Sequence, residues 1–131
     1  AAHAGWKGAT GGIVTATIAA MEALGARRER MRAAVGPAIS GRNYEIGPDL
    51  AAEIAGQNPA ARAHIFVPDG GTREHFDIPG LLLDQLAEAG IAAFADARHC
   101  TYAEPGRWFS HRFATHHGTR TGRQIALICL A

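Results

Sequence analysis

The chain has 131 residues and a net charge of +1, because 13 Lys and Arg residues nearly balance 12 Asp and Glu residues. This length fits one domain, and the balanced charge and lack of a long apolar run give no reason to expect nucleic acid or a membrane as partner. The 2 cysteines exclude a disulfide scaffold and suit a reducing compartment, so we expect a cytoplasmic monomer with small-molecule partners.

The first predicted elements are a strand end, a turn and a helix. The chain opens on Ala1 without a Met, and the residues up to His3 are typical of the middle or end of a strand. Glycines then crowd residues 5–12, which predicts a tight turn. Apolar residues at helical spacing predict a helix over 13–24, and Gly25 is a suitable C-terminal stop.

Strands and helices are predicted to alternate in the middle of the chain. Residues 31–39 predict a short buried strand, and residues 49–55 predict a short helix. Residues 64–71 read as a strand followed by a turn. A second clear helix is predicted over 80–89, with Pro79 at its start.

Three further strands are predicted in the last third, over 91–97, 108–112 and 123–131. Residues 113–122 separate the last two as a loop or hairpin end. The apolar surroundings of Cys129 predict that it lies in the core. The mixture of elements indicates an α/β or α+β fold.

Candidate functional residues cluster near the start of the chain. His3 at a strand end before a glycine turn suits an exposed functional side chain, and Gly5 and Gly8 would let the backbone approach an anion. Lys7, the only lysine, suits a phosphate or carboxylate partner. The residues alone leave open a structural hydrogen bond for His3, tight packing for the glycines and a solvated Lys7.

The second set of candidates lies nearer the C-terminus. Arg112 and Arg123 suit bidentate binding of an anion, with surface ion pairs as the alternative. The three histidines at 111, 116 and 117 match no zinc motif and indicate a loop at the edge of a site. Cys100 follows His99, but neighbours on a strand point to opposite faces, which favours a buried small residue over a nucleophile.

Taken in order, five sequence blocks resemble one family across essentially the whole chain. The blocks are HAGWKG, VGPAISGRNYEIG, HCTY, FSHR and TGRQIALI. They resemble the bacterial family once called laccase-domain or multicopper polyphenol oxidases, whose members are described as purine nucleoside phosphorylases and some as peptidoglycan editing factors. The resemblance implies a layered mixed β-sandwich flanked by helices.

The resemblance also implies one zinc ion, with His3 as one of three ligands. The other two ligands lie in upstream blocks that these residues do not contain, so we expect residues 1–131 to be a single partial domain, the C-terminal portion of a longer protein. We expect His3 and Lys7 to be the catalytic residues, Lys7 on account of its charge beside the glycine turn, although the family usually has Arg where Lys7 stands. Part of a phosphate pocket falls on Gly5, Gly8, Arg112 and Arg123.

The implied activity is zinc-dependent phosphorolysis of adenosine, inosine, guanosine and methylthioadenosine, with adenosine deamination as a further activity. An isolated chain with His3 as its sole ligand is expected to bind zinc poorly and to be inactive. Two alternatives remain open. One is an amidase that edits serine-containing peptidoglycan precursors, and the other is a non-catalytic remnant.

Overall fold

Short strands and helices alternate along the chain, and a computed structural model describes residues 1–129. The elements in chain order are α1 (Trp6–Thr10), α2 (Ile13–Ala23), β1 (Arg32–Val35), α3 (Pro48–Gln57), β2 (Ile65–Phe66), β3 (His75–Phe76), α4 (Ile78–Glu88), β4 (Ala93–Asp96) and α5 (His111–His117). The structure confirms the mixed α/β class. None of the helices among residues 1–129 has the length and apolar character needed to cross a bilayer.

Two small sheets organise the strands. β1 and β4 pair in parallel, in a register that runs from Arg32 opposite Ala93 to Val35 opposite Asp96. β2 and β3 form an antiparallel pair. Parallel strands require a crossover connection, and α4 lies in the segment between β1 and β4 and packs against both.

The core lies between α4 and the elements around it. Phe76, Ile54 and Leu81 are the largest fully buried side chains. The helix predicted over 80–89 is confirmed but begins earlier, because Asp77 caps it: its Oδ1 accepts a hydrogen bond from the Gly80 N–H at 3.2 Å.

The predictions for α2 and its C-terminus are confirmed. The helix spans Ile13–Ala23, and Gly25 follows it with a φ of 91°, which a residue with a side chain rarely adopts. Ile18 is buried on one face of α2, whereas Leu24 is 90% exposed. The apolar stripe predicted for this helix therefore faces the core only in part.

Two sequence predictions around the candidate residues are wrong. Residues 1–5 form no strand, because no neighbouring strand in the described chain accepts their backbone hydrogen bonds. The strand predicted over 108–112 is also absent, and His111 instead begins α5. Ser110 explains the change, because its Oγ accepts a hydrogen bond from the Phe113 N–H at 3.2 Å and so caps a helix.

The strand predicted over 123–131 is not formed within the described residues. Residues 123–129 have no regular structure, and Ile125 and Leu127 are more than 80% exposed. Cys129 is exposed and not in the core, while residues 130–131 lie outside the described residues. An apolar sequence favours a strand, but a strand also needs a neighbour to pair with.

Candidate functional site

His3 and the first turn of α1 form an exposed corner of the molecule, residues 3–8, here called the His3 turn. The His3 side chain is exposed and makes no hydrogen bond within the described residues. Gly5 is the N-cap residue of α1, with extended backbone angles of φ −70° and ψ 177°. Lys7 is exposed, and its ammonium lies 5.3 Å from the centroid of the Trp6 ring.

The predicted residues of this turn lie against one another. A Cβ built on Gly5 would lie 3.3 Å from His3 Nε2, and one built on Gly8 would lie 3.4 Å from the His3 carbonyl oxygen. The first turn of α1 thus folds back over His3. The structure brings His3, Gly5 and Gly8 together, with the Lys7 charge on the same short helix.

Polar side chains from elsewhere in the chain fix the far end of α1. Gln85 Nε2, on α4, donates to the Ala9 carbonyl at 2.8 Å. Asn58 Nδ2 lies 3.4 Å from the carbonyl of Thr10, whose own hydroxyl donates to the Trp6 carbonyl at 2.9 Å. These bonds hold α1, and with it the His3 turn, against the core formed by α3 and α4.

The two candidate arginines have other partners. Arg112 Nη1 donates to the Glu45 carbonyl at 2.7 Å, and its guanidinium lies 4.9 Å from the Tyr44 ring centroid. Arg123 Nη1 donates to the Gly122 carbonyl at 3.0 Å. Within residues 1–129, no hydrogen bond joins either arginine to the His3 turn. Arg112 anchors α5 to the segment before α3.

A second polar cluster is formed by Ser40, Asn43 and Glu104 around Cys100 and is here called the Cys100 cradle. An isolated parallel bridge between Ala38 and Cys100 follows the β1–β4 pair and places the segment after β1 beside the thiol. Ser40 Oγ and Asn43 Nδ2 each lie 3.3 Å from Cys100 Sγ, and the Ser40 N–H lies 3.4 Å from it. The sulfur therefore accepts several hydrogen bonds from residues about 60 positions away in the chain.

These contacts change the ionisation of the thiol. Burial opposes the charged form, but hydrogen bonds from Ser40, the Ala103 backbone and Asn43 favour it, and together they lower the pKa of Cys100 below its ordinary value. Cys100 lines a cleft of about 380 Å³ together with Arg42, Arg98 and His99.

A carboxylate supports the other side of the cradle. Glu104 Oε1 accepts a hydrogen bond from the Cys100 N–H at 3.1 Å and lies 3.3 Å from His99 Nδ1, while Oε2 pairs with Arg107 at 2.9 Å. Partial desolvation raises the pKa of Glu104, but the bond and charge of His99, the Cys100 N–H and the Arg107 charge outweigh it and lower that pKa. These contacts fix the backbone at Cys100.

Sequence reasoning missed this cradle. It treated Cys100 as a buried small residue and did not consider Ser40, Asn43 or Glu104. Two of the quoted blocks, VGPAISGRNYEIG and HCTY, contain Ser40, Asn43 and Cys100, but the two blocks meet through the bridge between Ala38 and Cys100, which the sequence does not reveal. Glu104 lies outside both blocks.

The described residues do not form a complete metal site. Among residues 1–129, no three His, Cys, Asp or Glu side chains are grouped so that they can hold a metal ion. A catalytic zinc site uses three protein ligands and one open position. His3 fits as one ligand because its side chain is exposed and makes no hydrogen bond within the described chain. A zinc ion there would need further ligands from outside these residues.

Comparison with known proteins identifies relatives over the whole chain. The family described as Multi-copper polyphenol oxidoreductase laccase matches residues 1–131. A purine nucleoside phosphorylase of Deinococcus radiodurans is 40% identical over 99% of this chain and 48% of its own length. One of Corynebacterium glutamicum is 38% identical over 99% of this chain and 49% of its own length. The chain thus spans about half the length of these relatives.

Solved structures resemble the fold over most of the chain. A Neisseria meningitidis protein of the DUF152 family superposes with a TM-score of 0.71 at 32% identity, over 86% of this chain and 45% of its own. The Bacillus licheniformis hypothetical protein YfiH superposes with a TM-score of 0.72 at 25% identity, over 87% and 44%.

Proposed function

The chain belongs to the multi-copper polyphenol oxidoreductase laccase family, and from that membership we propose that it forms part of a purine nucleoside phosphorylase. The observation that carries the proposal is the similarity, at 38–40% identity over nearly the whole chain, to relatives named purine nucleoside phosphorylase. In this reaction a phosphate oxygen bonds to C1′ of the ribose as the bond from C1′ to the purine nitrogen breaks. The purine nitrogen gains a proton as the phosphate loses one, so the products from adenosine are adenine and ribose 1-phosphate.

His3 is the residue of this chain assigned to a zinc ion. Its exposed, unpartnered imidazole supports the assignment, and the two other ligands would come from outside these residues. A bound zinc ion supplies a Lewis acid that polarises an oxygen atom. The contribution of this chain is to hold the His3 imidazole at the surface, on a turn that α1 anchors to the core.

The phosphate is assigned to the same turn. The Lys7 ammonium is exposed beside His3 and provides the charge. Gly5 and Gly8 add no side chain that would shield the backbone of the turn from an anion, although His3 occupies one side of each. Arg123 is exposed and is assigned as a second positive charge for the phosphate. Arg112 already donates one hydrogen bond to the Glu45 carbonyl, so only the rest of its guanidinium is left to bind an anion.

We assign adenosine, inosine, guanosine and methylthioadenosine as substrates, adenosine deamination as a second reaction and the cytoplasm as the location. These assignments rest on the family resemblance. They agree with a charge balance that favours neither nucleic acids nor membranes.

The test is release of adenine from adenosine by the polypeptide that contains this chain, with and without inorganic phosphate. We expect phosphate-dependent release that His3→Ala reduces about 100-fold or more, the scale of a lost ligand or acid–base group. His116→Ala is the matched control, because His116 is exposed and contacts only the Tyr102 hydroxyl, at 3.0 Å, among its side-chain hydrogen bonds. Full activity in His3→Ala, or release that does not need phosphate, would overturn the proposal.

A further inference from the structure

Position 5 does not need glycine for its backbone. The φ of −70° and ψ of 177° at Gly5 are ordinary extended angles that any L-residue adopts. Glycine is also a weaker N-cap for α1 than serine, asparagine or aspartate, and Gly5 makes no side-chain cap. The reason for glycine at this position must therefore be sought in the space around its Cα.

That space is occupied on one side by the His3 ring. A Cβ on Gly5 would lie 3.3 Å from Nε2, closer than an ordinary van der Waals contact between carbon and nitrogen. A Cβ on Gly8 would instead meet the His3 backbone carbonyl at 3.4 Å, an ordinary contact. Of these two glycines, the one at position 5 has the Nε2 atom of His3 as its neighbour.

We propose that Gly5 is a positioning residue that keeps Nε2 of His3 unobstructed, so that this nitrogen can bind an electrophile or a metal ion. A methyl group at position 5 would cover Nε2 or push the ring from its rotamer. The inference deepens the proposed function and rests on His3 acting there. The accessibility of His3 Nε2 can be measured without zinc and without a nucleoside.

The probe is diethyl pyrocarbonate, which acylates an accessible imidazole nitrogen, applied to the polypeptide that contains this chain after a chelator has removed any bound metal. Peptide mass spectrometry gives the acylation rate of His3 relative to that of His111, an exposed histidine on α5 that serves as internal reference. We expect Gly5→Ala to lower this ratio about two- to tenfold, the scale of the cost of an off-rotamer side chain.

Two further variants separate crowding from other effects. Gly8→Ala adds the same methyl group on the other side of His3, near its carbonyl, and should leave the ratio unchanged. Gly5→Ser restores a good N-cap residue while adding a Cβ at position 5, so it should slow His3 as Gly5→Ala does. Circular dichroism of each variant compares the helix content with that of the parent chain.

The outcomes distinguish this inference from the proposed function. A ratio that stays at the parental value in both position-5 variants overturns the positioning role of Gly5, whatever the activity of the protein. A ratio that falls in both but not in Gly8→Ala supports it. If the ratio falls and the full protein shows no phosphorolysis, the proposed function fails while the role of Gly5 at Nε2 stands.

Discussion

The His3 turn and the Cys100 cradle are built in opposite ways. The turn is a short local sequence whose candidate side chains, His3 and Lys7, are exposed and form no side-chain hydrogen bond within the described chain. In the cradle, by contrast, a partly buried sulfur accepts bonds from residues 57 and 60 positions away. The polar groups of the His3 turn are left exposed to solvent, whereas those of the Cys100 cradle bond to one another.

This difference shows what a lowered thiol pKa does and does not indicate about function. The lowered pKa of Cys100 follows from hydrogen bonds that also hold the segment after β1 against the segment after β4. Structural hydrogen-bond networks perturb pKa values as functional sites do. The His3 turn shows no comparable network, yet it belongs to the block that the family resemblance singles out.

The largest expected change in the free energy of unfolding comes from adding a methyl group at Gly41. Gly41 is buried in the turn beside the cradle, and a Cβ there would lie 2.9 Å from Asp77 Cβ and 3.1 Å from a Phe66 ring carbon. Such overpacking has no flexible neighbour to absorb it, so Gly41→Ala should lower the free energy of unfolding by about 3 kcal/mol. Urea denaturation measures the change.

Gly8→Ala is the matched variant in the His3 turn. Its added Cβ meets only ordinary contacts, and alanine favours the helical position. We expect the free energy of unfolding to stay within about 0.5 kcal/mol of the parent or to rise. Equal losses at both positions would mean that the two regions are packed alike, contrary to the comparison.

The next effect tests whether the cradle bonds stabilise the fold. Cys100→Ala removes the acceptor for Ser40 and Asn43. The Ser40 donors lose this partner, whereas Asn43 Nδ2 keeps its hydrogen bond to Ser40 Oγ at 3.1 Å. Because Cys100 is only partly buried, water replaces some of the lost bonds, and the expected loss is about 1 kcal/mol. Differential scanning calorimetry at pH 8 measures it.

Cys129→Ala provides the control for loss of a thiol. Cys129 is exposed, so its removal should change the stability by less than about 0.5 kcal/mol. If Cys100→Ala is as neutral as Cys129→Ala, the bonds around Cys100 contribute nothing measurable to the fold.

The sequence predicted elements well where local signals decide them. Glycine stops, a proline near a helix start and apolar spacing located α2 and α4 within a few residues. The prediction failed over 108–112 because the Ser110 cap outweighed aromatic strand propensity. It failed over 123–129 because strand formation depends on a partner that the described chain does not supply.

The same distinction applies to the candidate site. His3, Gly5 and Gly8 were predictable together because they are neighbours in the sequence and the structure keeps them in contact. Arg112 was chosen for its chemistry alone, and its guanidinium is largely engaged with Glu45 and Tyr44. The cradle was not predictable, since Ser40 and Cys100 meet only through the parallel pairing of β1 with β4.

The smallest expected effect is the pH dependence of Cys100. Hydrogen bonds lower the pKa of its thiol in the folded chain, whereas an unfolded thiol titrates near about 8.5. A lowered folded pKa adds stability that is fully present above the unfolded value and is lost as the pH falls through the folded value. The stability difference between the parent and Cys100→Ala should therefore increase from pH 6 to pH 9.

The pH dependence of the alkylation rate gives a second measurement of the pKa of Cys100. In a Cys129→Ala background, where Cys100 is the sole cysteine, the rate with iodoacetamide follows the thiolate fraction, and its midpoint should lie below that of free cysteine. Removing the donors with Ser40→Ala and Asn43→Ala together should move the midpoint upward. A midpoint at or above that of free cysteine in the parent would mean that burial outweighs the hydrogen bonds. The cradle would then be a packing contact around a neutral thiol, and its contrast with the His3 turn would lie in burial alone.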